Sequence, residues 1–359
     1  MKHKIAIIGG GFFGCLGSLK LAEIKNVSVD LYEKREDILL STSGKNQMRA
    51  HCGYHYPRSR GTVAEIQKSI KKFELFFPKN VFEKTKNFYA IANKGTKINS
   101  HQYINFLKKN KLYFKKLNKF QFVEKKNIDS IFSVKEKIIN IFKVRKFLKK
   151  KIINNRKVKL LLNTTFDESK IKNYDNVIYA TYEENNSNIK GITKDIKKKR
   201  YELVEKILVK MPSIFAKISI VVLDGNFVCI DPYLGTNLHL LSDVKNSKIE
   251  ISNKKFPRFK NYRKKYLNKD LVKNVKISYF KKFIKNSKKY LPILAKAKYH
   301  GSFFVVRSID HNKNDSRKTE IKKISEKIFT IYSGKWITAV STAIKLKLKI
   351  EKSLKKITI

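Results

Sequence analysis

The chain has little with which to build disulfides. It holds three cysteines in 359 residues, Cys15, Cys52 and Cys229, and no CxxC pair. That excludes a disulfide framework and the usual zinc knuckle. Long hydrophobic runs are also missing. The longest, SIFAKISIVVLDGNFVCI at 213–230, is broken by Lys217 and Asp224 and cannot span a bilayer. The IAII that follows MKHK is too short for the apolar part of a secretion signal. A reduced, cytoplasmic protein with no transmembrane segment is expected. Acidic residues are scarce, 29 against 81 basic ones, for a formal net charge of +52. Arginine is scarce as well: with 11 of them, 70 of the basic residues are lysines, spread along the whole chain. Sites that read phosphate or bases favour the arginine fork. The excess reads as compositional drift, with a functional basic surface as the alternative, and no specific nucleic-acid partner is expected. What is present is a globular chain, 42% hydrophobic with 24 Phe and 17 Tyr, long enough for two domains.

The most informative stretch is IAIIGGGFFGCLGSLKLAEIKNVSVDLYEK, residues 5–34. Residues 5–8 form a short apolar strand. Gly9, Gly11 and Gly14 then fall at GxGxxG spacing around Phe12 and Phe13, and Leu16, Leu19 and Leu21 continue as a helix. Val27, Val29 and Leu31 alternate as a second strand, which ends at Glu33 and Lys34. This order suits a dinucleotide. Gly9 permits the tight turn, Gly11 lets the backbone approach the pyrophosphate, and Gly14 lets helix and strand pack. The helix N-terminus would face the diphosphate, and Glu33 could accept the hydroxyls of the adenosine ribose. No second GxGxxG occurs among the 14 glycines, so one dinucleotide is expected.

Two further segments belong with this unit. YDNVIYATYEENN (174–186) reads as a strand over residues 177–179 followed by Ala180 and Thr181. KIFTIYSGKWITAVSTAIKLK (327–347) reads as a strand, then Ser333, Gly334, Lys335 and Trp336, then a helix. A site assembled from the N-terminus, the middle and the C-terminal end resembles the D-amino-acid oxidase/glycine oxidase superfamily of FAD-dependent oxidoreductases, with features like L-2-hydroxyglutarate dehydrogenase. The resemblance implies an α/β fold: a Rossmann-type FAD-binding domain on a parallel sheet, plus a substrate domain on a mixed or antiparallel sheet. It implies FAD as cofactor, bordered by Ala180 and Thr181, with the Gly334–Lys335–Trp336 junction near the flavin pyrimidine ring. Tyr182 stands where the family has glycine, and Ser18 where it has alanine. The match is weak over 81–150 and 245–300. The FAD-binding domain is expected to be discontinuous (1–80, 145–200 and 301–359), with 81–144 and 201–300 as substrate domain. Residues 219–244 read as antiparallel strands turning at Asp224-Gly225 and Gly235-Thr236, and 261–294 as lysine-faced helices.

RAHCGYHYPRSR, residues 49–60, holds two histidines, two tyrosines and three arginines, with hardly an aliphatic side chain. Gly53 and Pro57 oppose the helix that would pair His51 and His55 as metal ligands, so no metal is expected. The superfamily has here a turn of small residues, matched by Ser41 to Gly44 and Asn46, then His-x-Gly-x-x-Tyr, matched by His51, Gly53 and Tyr56. The resemblance implies that this stretch lines the FAD pocket. Ser43, Asn46, Arg49 and Gly53 would meet the cofactor, while His51, His55 and Tyr56 face flavin and substrate. A nucleic-acid surface using Tyr54, Tyr56, Arg58 and Arg60 is one alternative; a purely structural turn is another. Substrates of the superfamily commonly carry a carboxylate. Arg307 is the first candidate to clamp it and Arg58 the second; the bland alternative pairs Arg307 with Asp310 or Asp315. The implied reaction moves hydride to flavin N5 from a carbon beside an amine or hydroxyl, in a small amino- or hydroxy-acid-like substrate. An amine can enter neutral; an alcohol needs a base such as His51 or His55. Oxygen, a quinone or an electron-transfer protein would take the electrons. The rival readings are a non-redox flavoenzyme acting on a nucleotide sugar and a flavin-containing RNA-binding or RNA-modifying protein. The sequence leaves the oligomeric state open.

Overall fold

The computed structural model describes residues 3–225, 227–260, 264–310, 319–332 and 334–357. Its first strand, His3–Ile8, carries Ile5, Ala6 and Ile7 fully buried on both faces, as a central parallel strand requires. It lies between Val27–Tyr32 and Asn176–Tyr179, parallel to both. Val158–Leu161 and Ile328–Tyr332 extend this sheet in parallel on its two sides, and Glu320–Lys323 closes one edge antiparallel. The helix Phe12–Leu21 returns beneath the first strand. The helix Ile141–Ile153 buries Ile141, Val144, Leu148 and Ile152 at helical spacing, and its first turn is capped by the Asn140 side chain. Together with the helix Ala339–Ile357 it packs against the first helix, joining one core with Ile7, Leu16 and Leu346.

A nine-stranded mixed sheet forms the second layer. It runs from Lys248–Lys254 through Lys199–Lys210, Leu238–Asp243, Val228–Tyr233, Ile218–Leu223, Lys86–Ala92 and Ile128–Val134 to Phe114–Leu117. The strands expected within 219–244 are antiparallel to one another. One boundary moves. Lys298–Asp310 pairs with Lys199–Lys210 along its whole length, so residues 301–310, expected with the FAD-binding domain, belong to this sheet. Phe303, Phe304, Val305 and Val306 are all buried by that pairing. Of the helices expected over 261–294, residues 265–294 form one α-helix, Phe280–Ser287. Asn268 takes a left-handed backbone (φ 54°), and Asn274 caps a short 3₁₀ turn instead of continuing a helix. A small third sheet joins Arg49–Ala50 to Lys137–Ile139, and Phe82–Glu83 to the other side of Lys137–Ile139. It brings the RAHCGYHYPRSR stretch against residue 136. No helix among the described residues is long and apolar enough to cross a membrane.

Gly14 is where the first helix touches the first strand end. A Cβ there would lie 1.8 Å from the Gly9 carbonyl oxygen, whereas one at Gly17 would meet only methyl groups at 3.4 Å. Gly14→Ala should therefore cost about 3 kcal/mol or more in urea unfolding, and Gly17→Ala should stay within about 1 kcal/mol of the wild type.

Candidate functional site

A cleft of about 1370 Å³, partly open to solvent, lies across the carboxyl ends of the parallel strands. Gly9 ends the first strand at φ +108°, which only glycine adopts freely, and Gly10 N–H donates to Glu33 Oε2 at 2.7 Å. Glu33 Oε1 accepts from the Arg35 N–H at 3.0 Å. Burial pushes the Glu33 carboxyl up from its ordinary value, while these two backbone donors and the charges of Lys34 and Arg35 oppose that rise. A Cβ on Gly11 would stand 3.0 Å from Ser43 Oγ, which also receives the Phe12 N–H at 3.4 Å. The turn of small residues thus closes directly over the start of the first helix.

Of the expected cofactor residues, Gly9, Gly11, Phe12, Phe13, Glu33 and Lys34 line this cleft, with Ser43 and Asn46 from the turn. Ala180 and Thr181 reach it from the middle of the chain, and Gly334, Lys335 and Trp336 from the C-terminal end. Specific contacts hold the three segments together. Asn185 Oδ1 accepts from the Thr181 N–H and hydroxyl at 2.9 and 2.8 Å, and its Nδ2 donates to the Ile331 carbonyl at 2.8 Å. Trp336 stacks on Phe12 with centroids 5.3 Å apart. Ser333, in the same junction, lies outside the described residues.

Three of the expected cofactor residues sit elsewhere. Gly14 packs beneath the turn, and Gly53 (φ +116°) faces Val63. Arg49 is only 1% exposed and points into the protein, where Nη1 meets Glu136 Oε2 at 2.9 Å and Nη2 meets Asp231 Oδ1 at 2.6 Å. Tyr89 and Ser219 also accept from it, while Nε is left without a hydrogen-bond partner. A guanidinium shut off from water needs such carboxylates, so its placement is structural.

None of residues 49–60 lines the cleft itself; RAHCGYHYPRSR meets it through Tyr56, which touches the lining residue Lys335. Lys335 Nζ contacts the Tyr56 hydroxyl and lies 4.3 Å from its ring centroid. The rings of His51 and His55 pack on Tyr56 at 5.6 and 5.3 Å, and on each other at 5.7 Å. Burial drives both histidines below the usual value: His51 against the pull of Glu136, and His55 further down with His51 and Lys335 adding to the effect. Both imidazoles are therefore neutral at pH 7. The two arginines expected to hold a substrate carboxylate already hold protein carboxylates. Arg307 sets Nε and Nη2 on Glu202 Oε2, with Nε at 2.9 Å, and Arg58 Nε donates to Asp224. Asp310 is paired with Lys199, not Arg307, while Asp315 and Arg317 lie outside the described residues.

The sequence reading missed Thr164, Thr165 and Phe166, which line the cleft beyond the strand Val158–Leu161, and Glu183, a buried part of its wall. Nothing local marks a lone threonine pair as a pocket wall. Glu183 is buried and accepts from Asn268 at 3.1 Å. Burial, with the neighbouring Glu184 charge adding to it, pushes its carboxyl up to about 7.

No family model matches the chain. Among curated proteins, an FAD-dependent monooxygenase of Fusarium mangiferae is 28% identical over 145 residues, 40% of this chain and 39% of the relative. An FAD-dependent monooxygenase of Aspergillus flavus is 34% identical over 87 residues, 24% of this chain and 20% of the relative. The chain thus spans less than half the length of the curated relatives it matches. Solved structures are matched over nearly the whole chain. L-proline dehydrogenase from P. horikoshii superposes with a TM-score of 0.71 over 98% of this chain and 94% of that one, at 14% identity. Glycine oxidase from Bacillus cereus gives 0.69 over 98% and 95%, at 12% identity. L-α-glycerophosphate oxidase from Mycoplasma pneumoniae, solved with FAD bound, gives 0.70 over 97% and 94%, at 15% identity. The chain has the glycine oxidase fold. The cleft opens along the sheet of parallel strands.

Glu183 gives the cleft wall a pH signature. Its folded pKa lies above the ordinary 4.5, so between about 4.5 and 7 the fold keeps a proton that the unfolded chain has lost. Its stabilising effect is complete below 4.5 and is lost as the pH rises through 7. Glu183→Gln should match the wild type at pH 4 and exceed it by up to about 3 kcal/mol at pH 8 in urea unfolding.

Proposed function

We propose that this chain is an FAD-dependent oxidoreductase that removes hydride from a carbon beside an amine or hydroxyl of a small amino- or hydroxy-acid-like substrate. One observation carries the reading: the glycine turn with Glu33, the Ala180–Thr181 end and the Gly334–Trp336 junction share one cleft, with the His51–His55–Tyr56 cluster at its Lys335 end. The residues fit the cofactor. The space beside Gly11 is one that a side chain would fill, and the N–H groups opening the helix Phe12–Leu21 suit a diphosphate. Glu33 retains lone pairs for ribose hydroxyls beside its two backbone donors. When bound, FAD supplies a two-electron acceptor at N5.

The protein's own groups do the rest. Lys335, held against Tyr56, brings positive charge to a substrate carboxylate, a role that Arg307 and Arg58 do not share because Glu202 and Asp224 occupy them. The neutral His51 and His55 can accept a proton at pH 7. With a single dinucleotide site, electrons leave to oxygen, a quinone or an electron-transfer protein. The monooxygenase names of the curated relatives favour oxygen.

Anaerobic stopped-flow reduction of the flavin band by a series of amino and hydroxy acids tests this reading. His51→Ala and His55→Ala should both fold and keep FAD, and at least one should slow reduction by about 10²-fold or more. If both reduce at the wild-type rate, the stretch is only a structural turn. Gly11→Val should fold yet emerge without FAD, because its side chain takes the space next to Ser43.

A further inference from the structure

Glu136 lies between the strands Ile128–Val134 and Lys137–Ile139 and is fully buried. Its Oε2 accepts from Arg49 Nη1 at 2.9 Å and from the Tyr89 hydroxyl at 2.7 Å. Its Oε1 accepts from the Cys52 N–H at 3.1 Å and faces His51 Nδ1 at 3.5 Å. That last approach does not close a hydrogen bond, and Nδ1 is left without one; catalytic contacts without substrate are often this long. Burial alone would raise the Glu136 carboxyl, but His51, Arg49 and Tyr89 together hold it well below the usual range, so it is ionised. It cannot swing away either. Arg49 behind it is fixed by Asp231, which in turn accepts from Ser219 at 2.7 Å and Cys229 at 3.1 Å.

His51 is 15% exposed although its Nδ1 is buried, so the accessible edge of the ring is the one that carries Nε2. An ionised carboxylate beside Nδ1 keeps the proton on that nitrogen. We infer that Glu136 is a positioning residue: it holds His51 protonated at Nδ1 with the Nε2 lone pair free as a base, and this base selects a substrate with a hydroxyl on the carbon to be oxidised. The inference rests on the flavoenzyme reading and deepens it.

The chemistry decides between the two substrate classes. A neutral amine already has a lone pair to form the C=N bond and needs no base. An alcohol must lose its O–H proton as the C–H pair departs. Nε2 takes the proton, the O–H pair becomes the second C=O bond, and the C–H pair leaves as hydride to the flavin. The products are a carbonyl compound, reduced flavin and an imidazolium that Glu136 stabilises. The charged groups facing His51 are Glu136, Arg49 and Lys335, and its other polar ring neighbours are His55 and Tyr56. Only Glu136 favours the protonated ring. Without its charge the pKa of His51 falls, and the acid limb of the rate profile moves to lower pH.

The test is long-range ¹H–¹⁵N NMR on histidine-labelled holoenzyme, with His51 identified by the signal that His51→Asn removes. The expected result at pH 7 is a proton on Nδ1. A proton on Nε2 overturns the inference, and the tautomer itself is read on the wild-type protein. In Glu136→Gln the His51 titration midpoint should fall by about 1 unit or more; an unmoved midpoint argues equally against the dyad. For substrate class, lactate is compared with alanine, and malate with aspartate. The hydroxy member of a pair should bleach the flavin, about 10²-fold more slowly in Glu136→Gln. Bleaching by the amino member, at a rate Glu136→Gln leaves unchanged, overturns the selection while the flavoenzyme reading stands. A protein that takes up no FAD sinks that reading instead, and the His51 tautomer still decides the dyad.

Discussion

A guanidinium shut away from water must be matched by carboxylates, and Arg49 is matched by two. Glu136 directly precedes the central strand of the small sheet, and Asp231 comes from the middle of the nine-stranded one. Removing Arg49 would leave both carboxylates buried without their counter-charge, at a cost of about 3–5 kcal/mol. The network therefore sets where the chain must run. Ala50 and His51 follow Arg49 directly, so the same contacts that seat the guanidinium also bring the histidine ring to Glu136. From there the loop needs only Gly53, with its positive φ, to turn back and lay Tyr56 against Lys335.

The cleft follows from a second constraint, the parallel order of the first sheet. Parallel strands leave their carboxyl ends together, so loops from residues 9–11, 33–34, 164–166, 180–184 and 334–336 converge although more than 300 residues separate the first from the last. Glu33 ties the glycine turn down through the Gly10 N–H, and Asn185 ties the middle segment to the last strand. RAHCGYHYPRSR meets this pocket at one point, where Tyr56 touches Lys335.

Much of this was legible because local rules and the fold agree. The GxGxxG turn, the strand ending at Ala180 and the strand before Gly334 each had the right order of apolar run, small residue and helix. What was not legible depends on partners far away in sequence. Arg49 belongs to a stretch that touches the cleft only through Tyr56, and its own side chain answers Asp231, 182 residues on. Glu136 is one acid inside the lysine-rich SVKEKII and has no periodic signal to single it out. Arg307 faces Glu202 because their strands pair in that register, and no spacing rule reveals a register between strands a hundred residues apart. The lysine-faced pattern over 261–294 resembled helices because polar residues dominate there, but asparagines that bond to nearby backbone favour turns instead.

The proposed function assigns the glycine turn and Glu33 to the adenosine diphosphate half of a dinucleotide, and the segments beyond them to its other half. Titrating flavin-free protein with FAD, while following the visible spectrum of the bound flavin, tests that directly. One FAD per chain should bind, with ADP competing and FMN failing to replace it. A chain that binds no FAD, or binds FMN equally well, would contradict the account.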